Sequence, residues 1–116
     1  MTDKINTTLR QPHELAERGL VPSASLPELE KVAARYAVAL TPDVVELIDP
    51  SDPSDPIGLQ YVPSVRELDS TPFDRVDPIG DRVRSPVEGI VHRYPDRVLF
   101  KLVHVCAVYC RFCFRR

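Results

Sequence analysis

The chain has 116 residues, of which 43% are hydrophobic and 28% are charged, values that are ordinary for a soluble protein. Its net charge of −2 gives no reason to expect nucleic-acid or membrane binding, and no apolar run approaches the ~20 residues that span a bilayer. The length permits one small domain or a piece of a larger one. The N-terminus lacks the hydrophobic stretch of a signal peptide, and three cysteines confined to eight residues fit a reducing compartment better than a secreted disulfide scaffold. We therefore expect a cytoplasmic location.

Helices are predicted in the first half of the chain. Residues 12–20 are predicted to form a short helix. Ser25 and Glu28 have the spacing of a capping box, and after them apolar residues recur at helical spacing as far as Leu40, which predicts the best-defined helix. The Thr-Pro pair at residues 41–42 is typical of a helix start, with threonine as N-cap and proline in the first turn. A second, largely buried helix is therefore predicted there.

A proline-rich stretch follows these helices. Residues 49–56 almost repeat the unit Asp-Pro-Ser, and residues before proline avoid the α region, so an extended or turning connector is predicted. Its three acids also suggest a calcium loop, but the glycine and the bidentate glutamate of an EF-hand are missing, which favours a solvated linker. Residues 61–68 are predicted to hold one more helix. Residues 71–91, with prolines and glycines, are predicted to be irregular.

The cysteines follow an apolar run. Residues 98–105 are nearly all apolar and rich in β-branched side chains, a pattern that suits a strand buried on both faces, as in a parallel sheet. Directly after this run come Cys106, Cys110 and Cys113, spaced Cys-x3-Cys-x2-Cys. We therefore predict a strand that leads into a tight loop bearing three thiols.

Three thiols in one loop are consistent with more than one site. Two of them can form a disulfide, which leaves one over. Short spacings between cysteines also let successive sulfurs turn toward one metal centre. A [4Fe-4S] cluster normally takes four thiolates, so three would leave one iron open to a small molecule. A structural zinc site would need a fourth ligand, for which His92 and His104 are the candidates.

The cysteine spacing, with Phe112 before the last cysteine, is similar to the signature of the radical S-adenosylmethionine (SAM) enzymes. The longer string at residues 92–99, His-Arg-Tyr-Pro-Asp-Arg-Val-Leu, followed by the cysteine segment 106–116, resembles the lysine 2,3-aminomutase family. Residues 48–56 also resemble that family's sequence upstream of the cluster. The resemblance covers roughly residues 40–116.

This resemblance implies cofactors and ligands. Cys106, Cys110 and Cys113 would each ligate one iron of a [4Fe-4S] cluster, and SAM would take the fourth iron. Pyridoxal 5′-phosphate (PLP) would carry the substrate amino acid. The positions that match family contacts to the PLP phosphate are Arg93 and Arg97, with Tyr94 beside them. Phe112 matches a contact to the SAM adenine, with packing under the loop as the alternative. Arg115 matches the position that meets the substrate carboxylate.

The resemblance also implies an α/β fold. Residues 1–97 would form a mainly helical and irregular N-terminal region, and residues 98–116 would form the first strand and cluster loop of a radical SAM partial (β/α) barrel. Such a barrel typically needs ~250 residues, so we expect the N-terminal part of a larger enzyme that is inactive alone. The implied reaction converts L-lysine to L-β-lysine, and a homo-oligomer is compatible with the full-length enzyme. The alternatives are a related isomerase that modifies a lysine of a translation elongation factor, and a non-catalytic iron–sulfur or zinc-binding module.

Overall fold

A computed structural model describes residues 7–75 and 77–113 of the chain. These residues divide into two compact units. The first unit comprises the described residues as far as Asp69 together with those from Ala107 onward, and the second comprises Ser70–Cys106. Within the described ranges, all helices belong to the first unit and both strands to the second.

The described part of the first unit contains four short α-helices: α1 (Pro12–Glu17), α2 (Leu26–Arg35), α3 (Pro42–Glu46) and α4 (Pro56–Tyr61). Two 3₁₀ turns, Ser23–Ser25 and Val65–Leu68, complete it. Each α-helix has a proline at its first or second position, where the fixed φ of proline suits a helix start and its missing N–H is not needed. The high proline content is therefore compatible with helices, provided that they are short.

The core of the first unit lies where these helices meet two extended segments. Leu9 and Leu40 pair as an antiparallel bridge, with Leu9 N–H donating to the Leu40 carbonyl at 2.8 Å and Leu40 N–H donating back at 3.0 Å. Helices this short are marginal alone, so apolar burial must hold them together. The buried apolar residues that form the core cluster are Leu9, Leu15, Val21, Leu29, Val38, Leu40 and Ile48.

Three of the four predicted helices are confirmed in place, but their ends differ, and α3 is not largely buried as predicted, since none of its residues is buried. Helix α1 ends at Glu17 rather than residue 20, and α2 ends at Arg35 because Tyr36 is extended, with φ −132°. The periodic apolar pattern continues to Leu40, yet that residue is buried in the bridge and not in a helix. Ser25 lies in a 3₁₀ turn without a side-chain cap hydrogen bond, so the capping box predicted there is wrong.

The proline-rich connector is confirmed as a turning segment. The carboxylate of Asp49 accepts from the N–H of Ser51 at 3.0 Å, and that of Asp52 accepts from the N–H of Ser54 at 2.8 Å, which are Asx turns. The connector then ends in a helix that sequence reasoning missed, α4, whose N-cap Asp55 accepts from the N–H of Gly58 at 2.8 Å. The helix predicted at residues 61–68 is instead the 3₁₀ turn Val65–Leu68.

The second unit is built on a β-hairpin. Strand β1 (Ile90–Tyr94) pairs antiparallel with β2 (Arg97–Phe100), with Tyr94 opposite Arg97. The intervening Pro95-Asp96 pair forms a two-residue turn, and proline at the second position is favoured in type I turns. The residues described between 71 and 89 contain turns and bends only, which confirms the predicted irregular stretch up to the start of β1.

The strand predicted at residues 98–105 is shorter and more exposed than expected. Its pairing ends where the N–H of Lys101 donates to the carbonyl of Gly89 at 2.7 Å, and residues 101–105 lie outside any strand. All four residues of β2 are exposed, because burial on both faces needs neighbours that a two-stranded hairpin does not supply. The expectation that this segment is the first strand of a partial barrel stays a prediction.

Candidate functional site

The three cysteines are divided between the two units. Cys110 and Cys113 belong to the first unit and are half-buried, and the N–H of Cys113 donates to the carbonyl of Cys110 at 3.1 Å, which closes a tight turn between them. Cys106 is exposed and is the last residue of the second unit. All three are free thiols, so the disulfide alternative is not adopted.

Arg111, between the two half-buried cysteines, is itself buried, with a side chain only 6% exposed. Its guanidinium binds Glu67 in a bidentate manner, with Nε to Oε2 at 3.1 Å and Nη2 to Oε1 at 2.7 Å. Its Nη1 donates to the carbonyl oxygen of Ala37 at 2.7 Å. Two charge-assisted bonds and a third donor–acceptor pair satisfy a group that is costly to bury without partners.

The backbone of the same loop is also bonded to the first unit. The N–H of Arg111 donates to the carbonyl of Gln60, in α4, at 2.7 Å. The N–H of Tyr109 donates to the carbonyl of Ala39 at 3.2 Å. The loop is therefore attached both to α4 and to the extended segment that follows α2.

Glu67 serves two elements at once. Its Oε2, which accepts from Arg111, also accepts from the N–H of Ser64 at 2.8 Å, and Ser64 Oγ accepts from the N–H of Arg66 at 3.2 Å. This is a capping box, with spacing Ser-x-x-Glu that is visible in the sequence. Sequence reasoning left Arg111 without a role. The capping-box spacing is a sequence signal that could have identified Glu67 as an ordered carboxylate, although it does not identify Arg111 as the partner.

The donor set of the loop fits the cluster that the resemblance implies. Free cysteine thiols become thiolates when they bind metal, and thiolates are the ligands of iron–sulfur clusters. Within residues 7–75 and 77–113, no three His, Cys, Asp or Glu side chains are already gathered around a common point. The described cysteines thus supply the donor chemistry of such a cluster.

The hairpin carries three of the residues predicted to contact PLP. Arg93, on β1, donates from Nε at 3.3 Å and from Nη2 at 3.0 Å to Oδ1 of the buried Asp81. Arg97, on β2, is 69% exposed and lies over the ring of Tyr94, with Cζ 4.5 Å from the ring centroid. Its Nε is 3.7 Å from Oδ1 of the exposed Asp96. The structure therefore brings Arg97 and Tyr94 together and gives Arg93 an acidic partner.

The remaining predicted site residues are exposed or undescribed. Phe112 is 70% exposed, so it does not pack under the loop, which was the alternative to contact with the adenine. Arg115 lies outside the described residues. Of the candidate zinc ligands, His92 is exposed on β1, and His104 lies 3.8 Å from the carboxylate of Glu88.

A cleft of about 590 Å³ opens in the first unit beside the Arg111–Glu67 pair. Its walls are largely apolar, and three carboxylates, those of Asp49, Asp52 and Asp55, line it together with the pair. Asp49 and Asp52 each accept a backbone N–H of their own turn, and Asp55 accepts the N–H of Gly58 as the N-cap of α4. These acids thus stabilise turns, and their presence along the cleft is explained without a ligand.

No family model matches the chain, but curated relatives do. The L-lysine 2,3-aminomutase of Clostridium subterminale is 47% identical over 79 residues, which is 68% of this chain and 19% of that protein. The L-lysine 2,3-aminomutase of Bacillus subtilis is 46% identical over 77 residues, 66% of this chain and 16% of that protein. A glutamate 2,3-aminomutase of Clostridioides difficile is 39% identical over 88 residues, 76% of this chain and 21% of that protein.

The chain therefore spans about a fifth of the length of the curated relatives it matches, 16–21% in these three.

None of the helices in the described ranges has the length and apolar character that crossing a membrane requires.

Proposed function

Because the chain belongs to the lysine 2,3-aminomutase family, we propose that it forms part of an isomerase that moves an amino group from C2 to C3 of an amino acid. The observation that carries this proposal is the 47% identity over 79 residues to an enzyme named for that reaction. The free thiols at Cys106, Cys110 and Cys113 support it, because they are the donors that such an enzyme would need.

In this proposal the three cysteines hold a [4Fe-4S] cluster. When bound, the cluster and SAM supply radical chemistry and PLP carries the amino acid, while the protein positions these groups and excludes water. Cys110 and Cys113 are half-buried on the first unit, so their thiols are partly shielded from solvent before any metal arrives. Cys106 is exposed and is the third ligand in this proposal.

The structure favours Arg97 over Arg93 as the contact to the PLP phosphate. Arginine binds phosphate through its planar fork, and the exposed guanidinium of Arg97 presents that fork above the Tyr94 ring. Arg93 already donates twice to Asp81. In the full-length enzyme, Arg97→Gln should therefore weaken PLP binding more than Arg93→Gln, whereas Arg93→Gln should mainly destabilise the second unit. Equal PLP affinities for the two variants would contradict this assignment.

Lysine is the substrate we propose first, since several relatives bear its name. Glutamate is the second candidate, favoured by the relative named glutamate 2,3-aminomutase. Both amino acids present an α-carboxylate, for which Arg115 is the proposed partner. The choice between them therefore depends on groups that recognise the far end of the substrate, an ammonium in one and a carboxylate in the other.

The test uses the complete polypeptide that contains this chain, reconstituted with iron and sulfide without oxygen. We expect about four irons per chain and, after reduction with dithionite, an electron paramagnetic resonance signal that changes when SAM is added. With SAM, PLP and the same reductant, we expect conversion of lysine to β-lysine. Cys113→Ser should abolish the cluster, whereas the serine variant of an exposed residue outside the loop, Thr71→Ser, should not. One tight zinc and no iron would overturn the proposal in favour of a metal-binding module. Conversion of glutamate or of a protein-bound lysine, and not free lysine, would overturn only the substrate.

A further inference from the structure

In the part of the chain that the structure describes, the hydrogen bonds from the cysteine loop to the helical part of the first unit come from residues that lie between the cysteines. Tyr109 and Arg111 make the backbone bonds, to Ala39 and Gln60, and the Arg111 side chain makes the bonds to Glu67 and Ala37. The three thiols take part in none of these contacts. The loop is thus held in place while its sulfur atoms stay available.

The side chain of Arg111 makes the buried, charge-assisted part of this attachment. Its partner Glu67 has a side chain only 14% exposed, so the two hydrogen bonds from the guanidinium are shielded from water and are costly to lose. Lysine carries the same charge, but its single ammonium cannot bridge both oxygens of Glu67 and reach the Ala37 carbonyl as the guanidinium fork does. Arg111→Lys therefore tests geometry separately from charge.

We propose that Arg111 is a positioning residue, which fixes the cysteine loop on the helical unit so that Cys110 and Cys113 are ordered before they bind metal. The link runs from the guanidinium to Glu67, which the capping box with Ser64 holds in turn, and to the carbonyl of Ala37. The role of these thiols as cluster ligands rests on the proposed function, whereas the ordering of the loop by Arg111 is independent of it.

The chain supplies its own controls for this inference. Cys106 is exposed and lies in the other unit, so it serves as an internal reference thiol. Arg93 forms a second partly buried pair, with Asp81, also in the other unit. Arg93→Lys is therefore the matched substitution, because among the described residues the bonds of this arginine go to an acidic side chain of its own unit and not to the cysteine loop.

The experiment measures alkylation of each thiol by iodoacetamide in the metal-free chain, peptide by peptide, alongside the free energy of unfolding in urea. In the wild type, Cys110 and Cys113 should react more slowly than Cys106. In Arg111→Lys and in Glu67→Gln, Cys110 and Cys113 should react at least about tenfold faster relative to Cys106, which corresponds to about 1.4 kcal/mol of lost local protection. Arg93→Lys should leave this ratio unchanged.

Comparison with global stability makes the result decisive. If Arg111 only stabilises the fold, thiol reactivity will rise no more than the measured population of unfolded chain predicts, and the proposal is then overturned. An unchanged ratio in Arg111→Lys also overturns it. A rise that exceeds the unfolded population, and that is confined to Cys110 and Cys113, supports it.

A second measurement separates this inference from the proposed function. In the complete polypeptide reconstituted with iron and sulfide, Arg111→Lys should bind less iron per chain than Arg93→Lys. If the wild type takes up no iron at all, the proposed function fails, and the thiol ratios still decide whether Arg111 orders the loop. Equal iron content in the two variants, with the wild type loaded, would contradict the positioning role.

Discussion

Replacement of Leu40 by alanine should cost the first unit about 3 kcal/mol of unfolding free energy. Leu40 has no exposed surface and belongs to the core cluster. The substitution removes about three buried carbons, at ~0.8 kcal/mol each, and leaves a cavity, which together place a leucine-to-alanine change at roughly 2–5 kcal/mol. Alanine keeps both backbone bonds to Leu9, so the loss is that of the side chain alone.

The matched control is Leu47→Ala, which is the same chemical change at a residue 66% exposed. We expect it to alter the unfolding free energy by less than about 0.5 kcal/mol. Urea unfolding followed by far-ultraviolet circular dichroism measures both variants, with equal slopes against urea as the check that the comparison is valid. A cost at Leu47 as large as that at Leu40, or a cost below about 0.5 kcal/mol at Leu40, would refute the description of this core.

Three smaller perturbations test other parts of the fold. Two backbone N–H groups lower the pKa of Glu14 from its ordinary 4.5. The stability that this carboxylate contributes is therefore present above pH 4.5 and is lost as the pH falls through the lowered pKa. Glu14→Gln should flatten the dependence of the unfolding free energy on pH in that acid range. Gly89 has φ +87°, and a Cβ there would lie 3.4 Å from the Lys101 carbonyl oxygen. Gly89→Ala should therefore lower the unfolding free energy by about 1–2 kcal/mol. It should also weaken the hydrogen bond from Lys101 N–H to the Gly89 carbonyl, which faster amide exchange at Lys101 would show. Asp55→Ala removes the cap on Gly58 and should cost about 1 kcal/mol, whereas Asp55→Asn should cost less.

The sequence predicted the helices because local signals and tertiary packing agree there. Proline at a helix start and apolar spacing of 3.6 residues place α1, α2 and α3 correctly. The error at Leu40 shows the limit of periodicity: an apolar side chain spaced for a helix is equally well buried in an extended bridge. The choice between the two is made by Leu9, a residue 31 positions earlier that no local pattern connects to it.

The hairpin and the loop anchor were harder to predict, for different reasons. The Pro95-Asp96 turn is a local signal, but it lies inside the string that resembles the aminomutases, and that resemblance concerns ligand contacts of its neighbours and not a hairpin. The Arg111–Glu67 pair joins residues 44 positions apart, and nothing in the sequence around either one identifies the other. The metal site at the three cysteines, by contrast, follows from their spacing alone and stays a prediction.

A buried ion pair is often no more stabilising than an apolar pair of similar volume, and this gives a final test of why Arg111 and Glu67 are present. If their role is to order the cysteine loop, the double replacement Arg111→Met with Glu67→Leu should lower the unfolding free energy by no more than about 2 kcal/mol, because the apolar pair offsets the lost ion pair and the remaining cost is that of the capping box between Glu67 and Ser64. The same variant should nevertheless lose the slow alkylation of Cys110 and Cys113, because methionine is flexible and cannot donate to the Ala37 carbonyl. Stability and thiol protection would then separate in a single protein, whereas loss of both in proportion would show that the pair acts through the stability of the fold.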